Sequence, residues 1–204
     1  MNKKFQAIIK EASRTAARVL VNKLSEESFK FWQQDRIRKL IRFKKLEQTE
    51  QDRIFNEFIV TLIGLLDLQL RDEIVKIPRQ NEKRILLKGI QEASLSEYPI
   101  ILTELGTEKL FVDLWIELIK MRTKEYREDY KLAVTEMKKW EELKVDNRYF
   151  DNIARINNCS ILCLQHVRRG QTTPEDILWK DIRRWITFMD VEFKKILQMI
   201  QLVE

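Results

Sequence analysis

Glycine and proline are scarce in this chain, and their scarcity limits the folds that it can adopt. The 204 residues include four Gly and three Pro. Sheet proteins need Gly-, Asn- and Pro-rich turns at intervals of about 8 to 12 residues, and such turns are missing here. Leu, Glu, Lys, Arg, Gln and Ala, all good helix formers, fill the chain instead. The sequence therefore predicts an all-α protein.

Apolar residues at three- and four-residue steps divide the chain into six to eight helices. We expect these helices to form a single bundle over residues 1–204, with a long helix near 108–143 and a long C-terminal helix near 174–202. No Gly/Ser/Pro-rich linker and no internal repeat interrupts them. A weak boundary is expected near 99–106, where Tyr98-Pro99 breaks the helical pattern.

The N-terminal part of the chain is predicted to form a helical hairpin. The first helix runs from about Lys3 to Lys23, and Ser25 resembles the N-cap of a second helix that ends near Leu46. The apolar face of the first helix consists of Phe5, Ile8, Ile9, Ala12, Ala16, Val19 and Leu20. The second helix is expected to bury Phe29, Trp32, Ile37, Leu40 and Ile41.

The stretch from about Thr49 to Val75 is apolar on nearly all sides, which is typical of a helix in the middle of a bundle. Asp67 is the exception in this stretch, and Arg71 four residues later is the simplest partner for it. Asn81 is predicted to cap the next helix.

Two further patterns concern the second half of the chain. Thr173 followed by Pro174 and two acidic residues is a strong start signal for the C-terminal helix. A coiled-coil-like seam with steps of 4, 3, 4 and 3 is formed by Tyr126, Tyr130, Ala133, Met137 and Trp140. This seam suggests a protein–protein scaffold or a homo-oligomer.

Positive charge is concentrated at the N-terminus. Residues 1–45 hold 13 Lys/Arg and four Asp/Glu, a net charge of +9, whereas the other 159 residues hold 25 and 28, a net charge of −3. A charge distribution this uneven creates a field that anionic partners feel.

The basic residues fall on two predicted helical ridges, and a hairpin would merge the ridges into one positive surface. The candidate polyanion-binding residues are Lys10, Arg14, Arg18, Arg36, Arg38, Lys39, Arg42, Lys44 and Lys45. Phe31 and Phe43, which lie off the main apolar stripe, are candidates for stacking on bases or for entering a lipid interface. Several phosphate contacts would make nucleic-acid binding sensitive to salt.

The two cysteines and the one histidine of the chain fall on one helical face as Cys159-x3-Cys163-x2-His166. Thiolates and imidazole are zinc ligands, so the three residues form a weak candidate metal site that lacks a fourth ligand. Small cysteines on an apolar stripe are more often core residues, and we favour that interpretation.

Other chemistry has little support in the sequence. The chain contains no Glu-x-x-His motif and no glycine-rich phosphate loop, so we predict no cofactor and treat a carboxylate-metal bundle enzyme as a second alternative. The free thiols favour a reducing compartment such as the cytoplasm. The longest apolar run is too short to span a bilayer, and no cleavable signal is visible.

The leading hypothesis from the sequence is a non-enzymatic binding or assembly module. Its basic N-terminal hairpin would contact a polyanionic partner, with nucleic acid favoured over an acidic protein surface.

Overall fold

A computed structural model describes residues 3–79, 81–139, 150–173 and 175–201 of the chain. In these ranges the protein consists of helices, and no strand is present. The elements are α1 (Lys3–Gln33), α2 (Asp35–Leu40), a 3₁₀ helix (Phe43–Lys45), α3 (Gln48–Lys76), α4 (Glu82–Glu104), α5 (Lys109–Lys139), α6 (Phe150–Val167) and α7 (Ile177–Gln201). The predicted all-α helical bundle is confirmed, including a long helix in the 108–143 region and a long C-terminal helix.

Helix α3 lies at the centre of the bundle. Every residue from Glu57 to Leu70 is buried, and α3 contacts α1, α4, α5, α6 and α7. A helix that is apolar all round must be covered on every side to remove its side chains from water. The prediction of a central helix is therefore confirmed.

The carboxylates that α3 carries into the core are paired with arginines from other helices. Asp67 accepts hydrogen bonds from Arg127 Nε and Nη2, both at 2.7 Å. The predicted pair between Asp67 and Arg71 is wrong, since Arg127 is the arginine that binds Asp67, while Arg71 is exposed. An arginine on the facing helix donates two N–H groups of its guanidinium to the two carboxylate oxygens, and this bidentate geometry stabilises the buried negative charge.

Two more arginines bind α3 in a similar way. Arg122 of α5 donates to both oxygens of Glu57, at 2.7 and 3.1 Å. Arg155 of α6, 1% exposed, donates to Asp190 of α7 at 2.8 Å and also to Asp72 of α3. The core of the bundle thus contains paired charges as well as apolar side chains.

The predicted hairpin at the N-terminus is wrong, because α1 continues through Ser25 as one helix of 31 residues. The Ser25 hydroxyl donates to Val21 O at 2.8 Å, so it bonds within the helix and does not cap a new one. The core face of α1 also differs from the prediction. Ile8, Val19 and Phe29 are exposed, whereas Phe31 is buried.

Phe31 is buried because its ring stacks on Trp185 of α7, with 4.4 Å between centroids and an interplanar angle of 5°. Phe58 of α3 contacts both rings edge-on. The prediction that Phe31 is free to stack on a base or enter a lipid interface is therefore wrong.

Three predicted helix boundaries have different outcomes. Asn81 caps α4 as predicted, since its side chain accepts a hydrogen bond from the backbone N–H of Lys83 at 2.9 Å. The predicted break at Tyr98-Pro99 is wrong, because α4 continues through Pro99 to Glu104. Helix α7 begins after Asp176, which caps the N–H of Leu178 at 3.0 Å, three residues later than predicted.

The first residues of the predicted coiled-coil seam pack against α3 within the bundle. Tyr126 is fully buried, and its hydroxyl lies 2.8 Å from Thr61 Oγ1 of α3. The hydroxyl of Tyr130 donates to the carboxylate of Asp72, also on α3. Trp140 lies outside the described residues. These contacts show that the tyrosines of the seam pack within the bundle.

The close approach of α3 and α5 at Gly64 gives a first prediction. A Cβ atom at Gly64 would lie 2.8 Å from Cδ2 of Tyr126, whose ring is buried and cannot move aside. We expect Gly64→Ala to reduce the free energy of unfolding by about 1 kcal/mol, because overpacking costs about 1–3 kcal/mol and exceeds a gain of about 1 kcal/mol in helix propensity. Urea denaturation followed by circular dichroism measures this.

Thr135→Ala is the matched control, since Thr135 is exposed and its hydroxyl bonds only to Lys131 O in its own helix. We expect the control to change stability by less than about 0.5 kcal/mol. A Gly64→Ala protein at least as stable as wild type would contradict the close packing of α3 on α5.

Candidate functional site

The nine candidate cations fall into two groups at opposite ends of α1. Lys10, Arg14 and Arg18 lie in its N-terminal half, and the other six lie on α2, the 3₁₀ helix and the short turns beside them. The 24 residues from Lys10 to Gln33, the end of α1, span about 35 Å at a rise of about 1.5 Å per residue. The predicted merged surface is therefore not formed, because α1 does not fold back on itself.

Three of the nine side chains are held in contacts within the bundle. Arg18 pairs with Glu97 at 2.6 Å and with Glu104, both on α4. Arg36 donates from Nε to Asp181 of α7 at 2.9 Å. These bonds join neighbouring helices, so both arginines stabilise the packing of the bundle.

Arg38 is the third of these residues. Its guanidinium carbon lies 4.6 Å from the ring centroid of Trp32 and 4.4 Å from that of Phe43, as in cation–π contacts. The ring of Phe43 also packs edge-on against Trp32, with 5.3 Å between centroids. Phe43 and Arg38 thus anchor the turn after α2 to the end of α1.

Four of the remaining candidates, Lys39, Arg42, Lys44 and Lys45, belong to a surface that also includes α7, which the sequence analysis missed. The Arg36–Asp181 bond places the start of α7 beside α2, and Arg168 Nη1 donates to Leu40 O at 3.2 Å. We call this surface the basic end. Its exposed cations are Lys39, Arg42, Lys44, Lys45, Lys180, Arg183 and Arg184.

The basic end concentrates most of the net charge of the protein. The stretches 34–50 and 168–184 together contain eleven Lys/Arg and six Asp/Glu, a surplus of five in a chain of net charge +6. Arg168 and Arg169 are paired with Asp176 and Glu50, at 2.8 and 2.5 Å. The exposed cations of the basic end form no ion pair with any residue in the described ranges, so their charge is available to a partner.

The other cation group lines a groove between α1 and α4. This groove has a volume of about 550 Å³, and Lys10, Arg14 and Lys88 lie along it. The two helices approach closely at Ser13 and Gly89, where a Cβ on Gly89 would collide with Ser13 Oγ. The apolar part of the lining consists of Ile9, Ile85, Ala93 and Ile100.

The cysteines and the histidine do not form a metal site in the described part of the chain, where no group of three or more potential ligands is gathered. Cys159 and Cys163 are fully buried. Burial raises the pKa of the Cys163 thiol to about 12 and that of Cys159 higher still, so neither is a ready thiolate. Their place in the core agrees with the interpretation favoured from the sequence.

His166 is part of a small charged cluster between α3, α5 and α6. Its Nε2 lies 3.0 Å from Oε2 of Glu125, while Glu57 and Arg122 complete the surroundings. Burial lowers the pKa of the imidazole below its usual 6.5, and the nearby Arg122 acts in the same direction. Glu57 and Glu125 oppose that shift.

Among the described residues, the buried carboxylates are not gathered as the ligands of a di-metal centre are. Glu57, Asp67 and Asp190 are each bonded to an arginine, and an arginine-paired carboxylate offers its oxygens to the guanidinium. The carboxylate-metal alternative gains no support from the described residues.

Comparison with protein-family models, curated proteins and solved structures gives no match for the chain. The fold and the site therefore define it as an all-α helical bundle with one strongly basic end. None of the described helices combines the length and apolar character needed to cross a membrane.

The histidine cluster gives a prediction about pH. Because the folded chain binds a proton at His166 less readily than the unfolded chain does, acid favours unfolding. The contribution of His166 to the free energy of unfolding should be fully present above the usual histidine pKa of 6.5. As the pH falls below 6.5, that contribution should be lost, by at most about 1.4 kcal/mol per pH unit. We expect His166→Gln to flatten urea-denaturation stability between about pH 7.5 and about pH 5.5. An unchanged slope in the variant would contradict the shift.

Proposed function

We propose that the protein is a non-enzymatic binding module that contacts nucleic acid through its basic end. The observation that carries this proposal is the group of seven exposed cations supplied by α2, the 3₁₀ helix, the turn between them and the start of α7. Ion pairs fix the neighbouring helices, so these cations sit on a firm support rather than on a loose tail. A polyanion meets several of them at once.

The physical basis of the interaction is counterion release. Each phosphate that a lysine or arginine neutralises frees a condensed cation, so affinity depends steeply on salt. Three of the six acidic side chains in the stretches 34–50 and 168–184 are already paired with arginines: Glu50, Asp176 and Asp181. The other three acidic residues are exposed, and the seven exposed cations outnumber them. The local field therefore stays positive.

The groove between α1 and α4 supports a second candidate, a protein-binding function. Lys10, Arg14 and Lys88 stand beside an apolar lining that includes Ile9 and Ile85. An amphipathic helix with acidic and apolar faces is complementary to such a groove.

Charge reversal at the basic end tests the leading proposal. We expect replacing Lys39, Arg42, Lys44 and Lys45 by Glu to weaken binding of a labelled DNA or RNA strand by about ten-fold or more at about 50 mM salt. The slope of log affinity against log salt should also fall by about 1 for each phosphate contact removed. Fluorescence anisotropy at several salt concentrations measures both quantities.

The matched control changes the net charge equally at exposed lysines of α5, as in Lys109→Glu, Lys120→Glu, Lys124→Glu and Lys131→Glu combined. We expect this control to weaken binding far less, because the lost charges lie outside the basic end. Equal losses in the two variants would show a general charge effect and no defined interface. Absence of binding by the wild type at low salt would reject the proposal.

The second candidate has a separate test. A synthetic helix with Leu on one face and Glu on the other should bind the wild type and should bind much less to a Lys10→Glu, Arg14→Glu and Lys88→Glu variant. Isothermal titration calorimetry gives both affinities. The same variant should keep its affinity for nucleic acid, which separates the groove from the basic end.

A further inference from the structure

Trp179, in the first turn of α7, is an aromatic residue of the basic end that lies between two surface grooves. Its indole is half-buried and lines two grooves. One groove, of about 420 Å³, is otherwise lined by Lys180, Arg183, Arg184 and Thr187. The other, of about 450 Å³, lies between α6 and the segment that leads into α7. A single aromatic ring thus separates a cationic groove from a mostly apolar one.

The two grooves have different chemistry. The second is lined by Ile161 and Leu164, with the amide of Gln165 and the hydroxyls of Thr172 and Thr173 at its polar positions. Apolar surface with a few hydrogen-bonding groups suits a flat heterocycle, and an indole gives it a face for stacking. Phosphates need only the cations of the first groove.

Arg183 lines the first groove and lies against the indole that separates the two grooves. Its guanidinium carbon lies 5.5 Å from the ring centroid of Trp179, and its Nε donates to Asn157 Oδ1 of α6 at 3.0 Å. The arginine is therefore oriented by α6 while it remains exposed at the basic end. A guanidinium held in this position can contact a phosphate next to a base that lies against the indole.

We propose that the ligand of the basic end is single-stranded nucleic acid, with one unpaired base against Trp179 in the groove between α6 and α7. This inference rests on the proposed function and narrows it. The adjoining phosphates lie on Lys180, Arg183 and Arg184. Bases of a duplex are stacked and paired inside the helix, so they cannot enter this groove, and the protein prefers a single strand.

The test compares a labelled oligothymidine with a duplex of equal length in fluorescence anisotropy, using wild type, Trp179→Leu and Trp179→Tyr. Leucine keeps apolar volume over the core but removes the aromatic face. We expect Trp179→Leu to weaken single-strand binding by about ten-fold or more, in line with the stacking loss on replacing an aromatic residue. Duplex binding should not change, and tyrosine should restore most of the single-strand affinity.

Trp115→Leu is the matched control, since Trp115 is a half-buried tryptophan of α5 that packs on Tyr98. It should leave both affinities unchanged. Thermal melting of each variant shows that it is folded, and a Trp179→Leu variant that does not fold is replaced by Trp179→Gln, for which the same loss is expected.

The outcomes separate this inference from the proposed function. Equal wild-type affinity for single strand and duplex, or single-strand binding that Trp179→Leu leaves intact, overturns the inference while the basic end remains a nucleic-acid interface. Failure of the wild type to bind either probe at low salt overturns both. Loss confined to the single strand, with rescue by tyrosine, supports the inference.

Discussion

The pairing of buried carboxylates on α3 with arginines from the surrounding helices is the constraint on which the rest of the structure depends. A helix covered on every side by apolar side chains has little to fix its rotation against its neighbours. Buried charges remove that freedom, because leaving one unpaired costs about 3–5 kcal/mol. Glu57 and Asp67 bind α5 through Arg122 and Arg127. Arg155 of α6 bonds to α3 and α7 together and extends the same constraint to both.

The position of the basic end follows from this packing. With α3 at the centre, α1 runs its full length along the bundle and carries α2 to one end, where the first turns of α7 meet it. Cations far apart in sequence then share a surface, and Arg36–Asp181 fixes them there. The uninterrupted helix α1 also separates Lys10 and Arg14 from this surface. One segment of high positive charge thus contributes to two distinct places on the protein.

Sequence reasoning succeeded where a local pattern has one physical meaning, as in the all-round apolar run of α3 and the cap at Asn81. It failed where the same residue is compatible with two local conformations. Ser25 can cap a helix or bond back to a carbonyl four residues earlier, and only the continuous packing of α1 decides between them. Pro99 lies inside α4 although proline usually ends a helix. Trp179 was overlooked because nothing in its own neighbourhood indicates which residues of α6 will face it.

The sequence by itself determined the helical class, the central helix and the surplus of positive charge at one end of the chain, since composition and periodicity act locally. The tertiary structure alone decided which cations are free. Arg18, Arg36 and Arg38 are used to join elements, while Lys180 and Arg184, distant in sequence, join the exposed group. The physical reason is that folding can place an opposite charge beside a cation, as for Arg18 and Arg36, or pack it against aromatic rings, as for Arg38, and that placement depends on long-range packing.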